Sequence, residues 1–379
     1  MTDERIRLVT MPKWGLSMTT GEITDWWVTE GEEVTEGADL ADIDTDKIAG
    51  PLEAEGPGTL RRIVVGKGSR APVGAVLAVQ APAEVPDSEI DTVVAEAQQR
   101  NAELAEAVES GAEDTGPAAQ TVTVGRRALS YLSVGEAGSD GVATVLVHGY
   151  GGDKDSWLFL QPDLGSDRLV HALDLPGHGA SSKDVGNGSV DELAGALLGF
   201  LDEVGAARAH LVGHSLGGAV AATAAVSAPE RVASLTLLAP VGLGEAIDAD
   251  YLRSFATASS KREVKPLLGR LLADPSAVTR SMVDDVVRFK RLDGVQAALQ
   301  RLCEAMLDGD RQAVALPDSL AQLDVPVTVV WGAQDTIVPN PGDDVLHARL
   351  PRARIELLDG AGHMPHMEKA GSVLASLRG

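Results

Sequence analysis

The stretch AHLVGHSLGGAVAATAAV, residues 209–226, constrains the fold of this chain more than any other. Its first residues form an apolar run typical of a buried strand, and its last residues are typical of a helix. Between them, Gly213 and Gly217 stand two residues before and two residues after Ser215. Glycines at these positions let the chain turn sharply and lift the serine hydroxyl clear of a sheet. The stretch therefore predicts a nucleophilic serine at a strand–turn–helix junction.

Further apolar runs on either side of this turn predict more buried strands. Continuous apolar runs joined by helical stretches indicate a parallel sheet that is covered by helices on both faces. The segment 241–320 is rich in predicted helix and lies between two such strands, so it is expected to form a cap. The runs are 142–149, 169–181 with its glycine-containing loop, 232–240 and 325–332.

A serine at such a turn needs a base and an acid that orients the base. On this kind of scaffold the expected chain order is serine, acid, histidine. Asp335 follows the strand 325–332, and His363 comes next in the stretch GAGHMPHME. They are the predicted acid and base. Asp343 and His366 are alternatives, but each lies beyond the expected loop position.

The oxyanion of an acyl-transfer reaction requires two backbone N–H donors. Leu216, at the start of the helix, is one candidate donor, and Tyr150 in the stretch HGYGG is the other. His148 in the same stretch and His178 in LPGHG are interpreted as residues that pack loops. Residues 121–379 as a whole resemble the α/β-hydrolase fold, which implies that the cap selects the substrate and excludes water.

The N-terminal part contains an internal repeat. Residues 21–43 align without a gap on residues 58–80, at an offset of 37 residues. Each copy has the pattern of strand, glycine-containing turn and strand, so two similar four-stranded halves should form a flattened β-sandwich. The matched pairs are Gly21 and Gly58, Ile23 and Leu60, Val28 and Val65, Gly31 and Gly68, Gly37 and Gly74, and Leu40 and Leu77.

Lys47 lies midway between the two copies, ten residues after Gly37 and eleven before Gly58. An isolated surface lysine is usually only solvated, but this position is where a lipoyl or biotinyl arm is attached to a quasi-symmetric sandwich. Residues 4–80 resemble a lipoyl domain, with TDKIA as the attachment tip. Asp46 and Ile48 flank the lysine where a biotinyl domain usually has methionines. The resemblance therefore implies lipoic acid bound covalently to Lys47.

Residues 81–120 differ in composition from both neighbours. They contain no aromatic residue and only one basic residue, Arg100, so the segment is predicted to be an acidic linker. Ile90, Ala97 and Leu104 recur every seven residues, which predicts a helix with an apolar stripe. The helix is expected to rest on a neighbouring domain, with oligomerisation through the stripe as the alternative.

The overall charge narrows the classes of partner. The chain has 32 Lys and Arg residues and 56 Asp and Glu residues, which gives a net charge of −24. This charge disfavours binding to nucleic acid or to anionic membranes. Cys303 is the sole cysteine, so no intrachain disulfide and no thiolate metal site is expected. Because we find neither an N-terminal signal core nor a membrane-length apolar run, a cytoplasmic location is predicted.

A lipoyl domain joined to a Ser–His–Asp hydrolase domain resembles the dihydrolipoamide acetyltransferase components of acetoin dehydrogenase complexes. The H-x-x-x-D-G motif of other lipoyl acyltransferases is missing. Any acyl transfer would therefore have to be catalysed by the hydrolase-like domain. The resemblance implies coenzyme A as acyl acceptor. It also implies a thiamine-diphosphate-dependent acetoin-cleaving component and a dihydrolipoamide dehydrogenase as partners, and a homo-oligomer is possible.

Two other functions fit the same sequence. The chain could be a lipoyl-bearing serine esterase or thioesterase that releases the acyl group to water, or a non-catalytic carrier and assembly subunit. No strong phosphate-binding cluster marks a coenzyme A site. The basic run SSKREVK, Ser259–Lys265, is a candidate for it, although a solvated helix face is the simpler interpretation.

Overall fold

The structure is a computed structural model. It describes residues 5–12, 18–35, 37–45, 49–54, 56–109, 118–138 and 141–378. The chain forms two compact units, Met1–Gly116 and Pro117–Gly379. The predicted attachment residue Lys47 lies outside the described residues.

The first unit contains eight short strands in two four-stranded sheets. One sheet has the strand order β1-β8-β6-β3 and the other the order β5-β4-β2-β7. The strands are β1 (Arg7–Thr10), β2 (Thr20–Trp26), β3 (Glu33–Val34), β4 (Asp39–Asp44), β5 (Ala49–Glu53), β6 (Gly58–Ile63), β7 (Arg70–Pro72) and β8 (Val76–Ala81).

The internal repeat explains these two strand orders. Each strand of the first half, β1 to β4, has a counterpart in the second half, β5 to β8. When every strand is exchanged for its counterpart, the order β1-β8-β6-β3 becomes β5-β4-β2-β7, which is the order of the other sheet. The matched residues Ile23 and Leu60 are both completely buried between the sheets. Gly37 and Gly74 have φ angles of 77° and 78°, a region that side chains disfavour. The predicted quasi-symmetric sandwich is confirmed.

A long helix, α1 (Asp87–Glu109), packs on this sandwich. Ile90 and Ala97 are buried, and Leu104 packs against the sandwich core. Asn101 is the polar residue that interrupts the apolar stripe. Its amide donates to the carbonyl of Val76 and accepts from the N–H of Val76, both at 2.8 Å. The apolar stripe is therefore covered within the first unit.

Replacing Asn101 with Ala should loosen the contact between α1 and β8. Because both backbone groups of Val76 lose their partner, the contact should weaken by about 1–3 kcal/mol. Hydrogen–deuterium exchange of the full chain should then be faster across α1 and β8. Gln99→Ala is the control, since the exposed Gln99 side chain donates to the exposed Glu103 on the same helix. Equal exchange in the two variants would contradict the role given to Asn101.

The second unit is built on one eight-stranded sheet with the order β18-β17-β14-β13-β11-β12-β10-β9. A two-stranded hairpin, β15–β16, lies outside it. The strands are β9 (Gln120–Val124), β10 (Arg127–Val134), β11 (Ala143–Val147), β12 (Val170–Leu173), β13 (Ala209–His214), β14 (Val232–Leu238), β15 (Leu307–Asp308), β16 (Arg311–Gln312), β17 (Val327–Gly332) and β18 (Arg354–Leu358).

The predicted parallel sheet is present, and two antiparallel strands, β9 and β10, extend it. Six strands from β11 to β18 run parallel, but β10 is antiparallel to both β9 and β12. The turn at Gly125 and Arg126 joins β9 to β10 directly. So short a connection permits only antiparallel pairing, whereas parallel neighbours need a crossover of a dozen or more residues.

Helices cover both faces of this sheet. Val145 and Val147 of β11 belong to one apolar core with Phe200, while Leu146 between them belongs to another core with Trp157. This alternation confirms the layered α/β architecture. The helices are α2 (Gln161–Gly165), α3 (Val190–Glu203), α4 (Leu216–Ser227), α5 (Ala249–Thr257), α6 (Lys261–Gly269), α7 (Arg280–Lys290), α8 (Val295–Met306), α9 (Asp343–Arg349), α10 (Pro365–Glu368) and α11 (Ala370–Arg378).

The helices α5 to α8 come between β14 and β17 in the chain and pack on the first of these cores. Tyr251, Phe255 and Leu299 are buried there. These helices lie within the segment that was predicted to be a cap. Across the described part of the chain, no helix combines the length and the apolar character needed to cross a membrane.

Candidate active site

Ser215 occupies a strained turn between β13 and α4. Its φ and ψ are 53° and −117°, in a region that residues with a side chain rarely adopt. The surrounding backbone enforces this geometry. The N–H of Ser215 donates to the carbonyl of Leu238 at 2.9 Å, and its own carbonyl accepts from the N–H of Gly218 at 3.0 Å. Strain of this kind persists only where neighbours over-determine it, and it is typical of functional sites.

The glycines that flank Ser215 allow the close approach that the turn requires. A Cβ atom on Gly213 would lie 2.3 Å from the carbonyl oxygen of Gly217. A Cβ atom on Gly217 would lie 2.2 Å from the carbonyl oxygen of Val147, at the end of β11. Any side chain at either position would therefore push α4 away from the sheet.

The structure brings Ser215, His363 and Asp335 into one hydrogen-bonded row. The Oγ of Ser215 lies 3.0 Å from Nε2 of His363, and Nδ1 of His363 lies 2.8 Å from Oδ2 of Asp335. Because a carboxylate only accepts, Nδ1 carries the proton and Nε2 is left to accept from the serine hydroxyl. The relative exposures are 4%, 3% and 7%, so the row is buried.

The carboxylate of Asp335 is itself fixed by the backbone of its loop. Its Oδ1 accepts from the N–H groups of Ile337 and Val338, at 2.9 and 3.0 Å. These bonds leave Oδ2 for His363. The loop follows β17, so the acid stands at the carboxyl end of a parallel strand, as expected from the sequence.

A second carboxylate, Glu368, clamps the loop that carries His363 to the cap. Its Oε1 accepts from the N–H of Ala273 at 2.6 Å, and its Oε2 accepts from the N–H of Gly362 at 2.8 Å. The N–H of His363 also donates to the carbonyl of Leu271 at 2.7 Å. Burial raises the pKa of Glu368. Sequence reasoning missed this residue, because nothing near it identifies partners 95 residues earlier in the chain.

His214, the residue before the serine, is hydrogen-bonded to the backbone of His363. Its Nε2 lies 2.7 Å from the carbonyl oxygen of His363, which can only accept, so Nε2 carries a proton. Burial lowers the pKa of His214 well below its usual value. The ring is therefore neutral and serves as a fixed donor to the backbone of the base.

The two alternative candidates lie away from the serine hydroxyl. The ring of His366 packs between Trp157, at 4.7 Å, and His214, at 4.5 Å, and its nitrogens have no hydrogen-bond partner among the described residues. Burial, with a smaller contribution from the charge of His363, lowers the pKa of His366 to about 3. Asp343 is exposed at the start of α9.

The loop after β11 lies against the nucleophile, as the predicted oxyanion site requires. A Cβ atom on Gly149 would be 3.0 Å from the Cβ of Ser215. Within the part of the chain that the structure describes, the N–H groups of Tyr150 and Leu216 have no acceptor. Both predicted donors are therefore available to a ligand.

His148 and His178 hold this loop in place. The Nε2 of His148 accepts from the N–H of Leu175, and the Nε2 of His178 accepts from the N–H of Gly151, both at 3.0 Å. Burial lowers the pKa of both imidazoles, which keeps them neutral and able to accept. Their structure agrees with the loop-packing role read from the sequence.

Cap residues close the site from above. The hydroxyl of Tyr150 donates to the carbonyl of Leu299 at 2.9 Å, and the ring of Phe255 lies 5.8 Å from the ring of Tyr150. A Cβ atom on Gly151 would lie 2.3 Å from the ring of Phe255. The cap therefore packs directly on the loop beside Ser215.

Comparison with known families matches both units. Residues 143–370, more than half of the chain, match the model of a family described as the alpha/beta hydrolase fold. Residues 7–79 match the model of a family described as "Biotin-requiring enzyme", which covers biotinyl and lipoyl domains. The second unit accordingly belongs to the α/β-hydrolase fold.

Two curated relatives match the chain almost from end to end. The dihydrolipoyllysine-residue acetyltransferase component of the acetoin cleaving system of Pseudomonas putida is 47% identical over 97% of this chain and 96% of the relative. The chain belongs to this family. The corresponding component of Cupriavidus necator is 44% identical over 98% of this chain and 96% of the relative.

A solved structure extends the comparison to the hydrolase-fold unit of this acetyltransferase-family chain. The 2-hydroxy-6-oxo-6-phenylhexa-2,4-dienoate hydrolase of Rhodococcus sp. strain RHA1 superposes with a TM-score of 0.62 and 25% identity. The match covers 69% of this chain and 97% of that structure. The remaining part of this chain has no counterpart in the match.

Replacing Glu368 with Gln should disturb His363 without altering the row of reactive side chains. The glutamine amide can accept a hydrogen bond from one of the two backbone N–H groups, but its own NH₂ group would face the other N–H donor. Loss of one buried hydrogen bond costs about 1–3 kcal/mol, so labelling of Ser215 by a fluorophosphonate probe should slow roughly tenfold. Glu203→Gln, exposed on α3, is the matched control. Equal labelling rates in both variants would remove Glu368 from the site.

Proposed function

We propose that this chain transfers an acetyl group from a lipoyl thioester to coenzyme A. Ser215 acts as nucleophile, His363 as general base and acid, and Asp335 as the residue that orients His363. The observation that carries the proposal is the buried Ser215–His363–Asp335 row, with bonds of 3.0 and 2.8 Å, in a chain of the acetoin acetyltransferase family.

The first unit supports lipoylation at Lys47. Asp44 of β4 pairs with Ala49 of β5, so Lys47 belongs to the short connection between two paired strands, outside the described residues. This connection joins the two halves of a quasi-symmetric sandwich, which fits the attachment site of a lipoyl arm. When bound, that group would supply an acyl thioester on a long tether, and tethering raises its effective concentration at the second unit.

In the first half of the proposed reaction, the Oγ of Ser215 attacks the thioester carbonyl carbon while Nε2 of His363 takes the serine proton. Asp335 stabilises the imidazolium that results. The N–H groups of Tyr150 and Leu216 donate to the oxyanion. The carbon–sulfur bond then breaks, and the leaving sulfur takes the proton from His363. The products are acetyl-Ser215 and a free thiol.

In the second half, His363 takes the proton of the coenzyme A thiol, whose sulfur attacks the acetyl carbonyl. The same two N–H groups hold the oxyanion. The bond between the acetyl carbon and Oγ breaks, and Ser215 recovers its proton from His363. Acetyl-coenzyme A leaves, and the enzyme returns to its starting state with every proton accounted for.

Hydrolysis is the competing function, because water can replace the thiol in the second half. The structural similarity to a hydrolase of known structure favours this candidate. Burial of the row under the cap favours transfer, since a site closed to bulk water protects an acyl-enzyme. The partners that we propose are a thiamine-diphosphate-dependent acetoin-cleaving component and a dihydrolipoamide dehydrogenase, which membership of an acetoin cleaving system supports.

The acceptor assay tests the proposal directly. Given acetyl-dihydrolipoamide and coenzyme A, the protein should produce acetyl-coenzyme A and not free acetate, as measured by chromatography. Ser215→Ala should lower this rate at least about a thousandfold, because the nucleophile is lost. Ser227→Ala, exposed at the end of α4, should leave it unchanged. Acetate as the main product would establish the esterase function, and full activity in Ser215→Ala would sink the triad mechanism.

Lys47→Arg tests the attachment site. Intact mass spectrometry should show one lipoyl group on the wild type and none on this variant. Transfer from free acetyl-dihydrolipoamide should be unchanged, because the second unit is untouched. Lys67→Arg, an exposed lysine paired with Asp25 in the same unit, should keep its lipoyl group. A lipoyl group retained in Lys47→Arg would exclude Lys47.

A further inference from the structure

A cavity of about 730 Å³ lies at the edge of the cap, between α6, the segment that follows it and the loop after β17. We propose that this cavity binds the phosphate-bearing adenine nucleotide end of coenzyme A. The inference rests on the proposed function, because it names where the acceptor of that reaction is held. A volume of this size is within the usual range for small-molecule sites, about 300–1,000 Å³.

One cation that lines the cavity forms no ion pair with any residue that the structure describes. Lys265 lines it, and Arg262 stands three residues earlier on α6, about one helical turn away. Neither side chain has a carboxylate partner among the residues that the structure describes, whereas Lys261 of the same helix pairs with Asp284. In a chain with a net charge of −24, an unpaired cation in a concave site is a local attraction for phosphate.

Arg270 adds to the cationic side of the cavity but is already engaged. Its guanidinium pairs with both Asp248 and Asp250, so its charge is balanced. Among the described residues that line the cavity, Lys265 is therefore the cation without an ion pair. A lysine is suited to the task, since its ammonium is a point charge that meets phosphate oxygens from several directions.

The other walls suit an adenine ring. Pro266, Leu272 and Pro275 supply apolar surface. Gln334 also lines the cavity, and its amide nitrogen donates to Oδ1 of Asp359 at 2.9 Å. That bond fixes the amide so that its carbonyl oxygen, which has no partner among the described residues, is left to accept. An exocyclic amino group such as that of adenine is the matching donor.

The cavity lies beside the loop that carries Asp335. Gln334 and Thr336, which both line it, are the residues on either side of Asp335. Leu272, another lining residue, follows Leu271, whose carbonyl accepts from the N–H of His363. Coenzyme A carries its thiol at the end of a long flexible arm. A nucleotide held at the edge of the cap would therefore leave the thiol free to reach the buried serine.

The cavity also bears on the run 259–265, which the sequence offered as a candidate coenzyme A site. The simpler interpretation was a solvated helix face. Ser260 caps α6, and Lys261 is paired, so most of the run has structural roles. Lys265 differs from them, because it faces a concavity that is also lined by residues next to Asp335.

The test compares coenzyme A with pantetheine, which has the same thiol arm but no phosphate and no adenine. In Lys265→Gln, kcat/KM for coenzyme A should fall about tenfold, the equivalent of about 1.4 kcal/mol. This decrease should come from a higher KM for coenzyme A, and kcat/KM for pantetheine should not change. Lys261→Gln, whose wild-type ammonium is paired with Asp284, is the matched control. An equal effect on both acceptors, or none on coenzyme A, would overturn the inference.

Direct binding separates this inference from the proposed function. Calorimetric titration of the full chain with coenzyme A needs no turnover, so it remains informative if the protein makes no acetyl-coenzyme A. Lys265→Glu should weaken binding more than Lys265→Gln, because it places a negative charge beside the phosphates. Undetectable binding to the wild type, or unchanged binding in Lys265→Glu, would refute the site. Failure of the acceptor assay with binding intact would refute only the proposed transfer.

Discussion

The two hydrogen bonds of the His363 ring are the interaction on which the site depends. One bond holds the proton on Nδ1 against Asp335, and the other leaves Nε2 facing the hydroxyl of Ser215. The ring can serve both sides only if its backbone is fixed. His214 donates to its carbonyl, and its N–H donates to Leu271 of the cap segment. Catalysis on this scaffold would thus require the base to be positioned by the sheet and by the cap together.

Because the cap helps to position His363, it also bears on whether water or a thiol attacks the acyl-enzyme. The segment 271–273 contacts the backbone around His363 directly and through Glu368, and Leu272 and Ala273 within it line the proposed nucleotide cavity. An acceptor bound in this cavity would be held next to the active site while Ser215 carries the acyl group. A covered site that also recognises its acceptor gives thiol an advantage over water without any change in the reactive residues.

Much of the fold was predictable because local patterns repeat or alternate. The matched glycines and apolar residues at an offset of 37 predicted the sandwich, and the spacing of Ile90, Ala97 and Leu104 predicted α1. The strands β9, β10 and β18 were not identified from the sequence. β18 is only half buried, and in β10 the serines Ser130 and Ser133 stand between the apolar residues, so neither strand has the continuous apolar run of a central parallel strand.

By itself, the sequence determined which side chains could react: a serine between two glycines, an acid after a strand and a histidine in the next loop. Strand–turn–helix order limits where each can stand, so local pattern suffices. Only the tertiary structure decided what surrounds them. Glu368 contacts Ala273, and Lys265 lines the same cavity as Gln334, across distances in sequence that carry no local pattern. Contacts of that kind arise from packing between elements, which is why they became visible only in the folded chain.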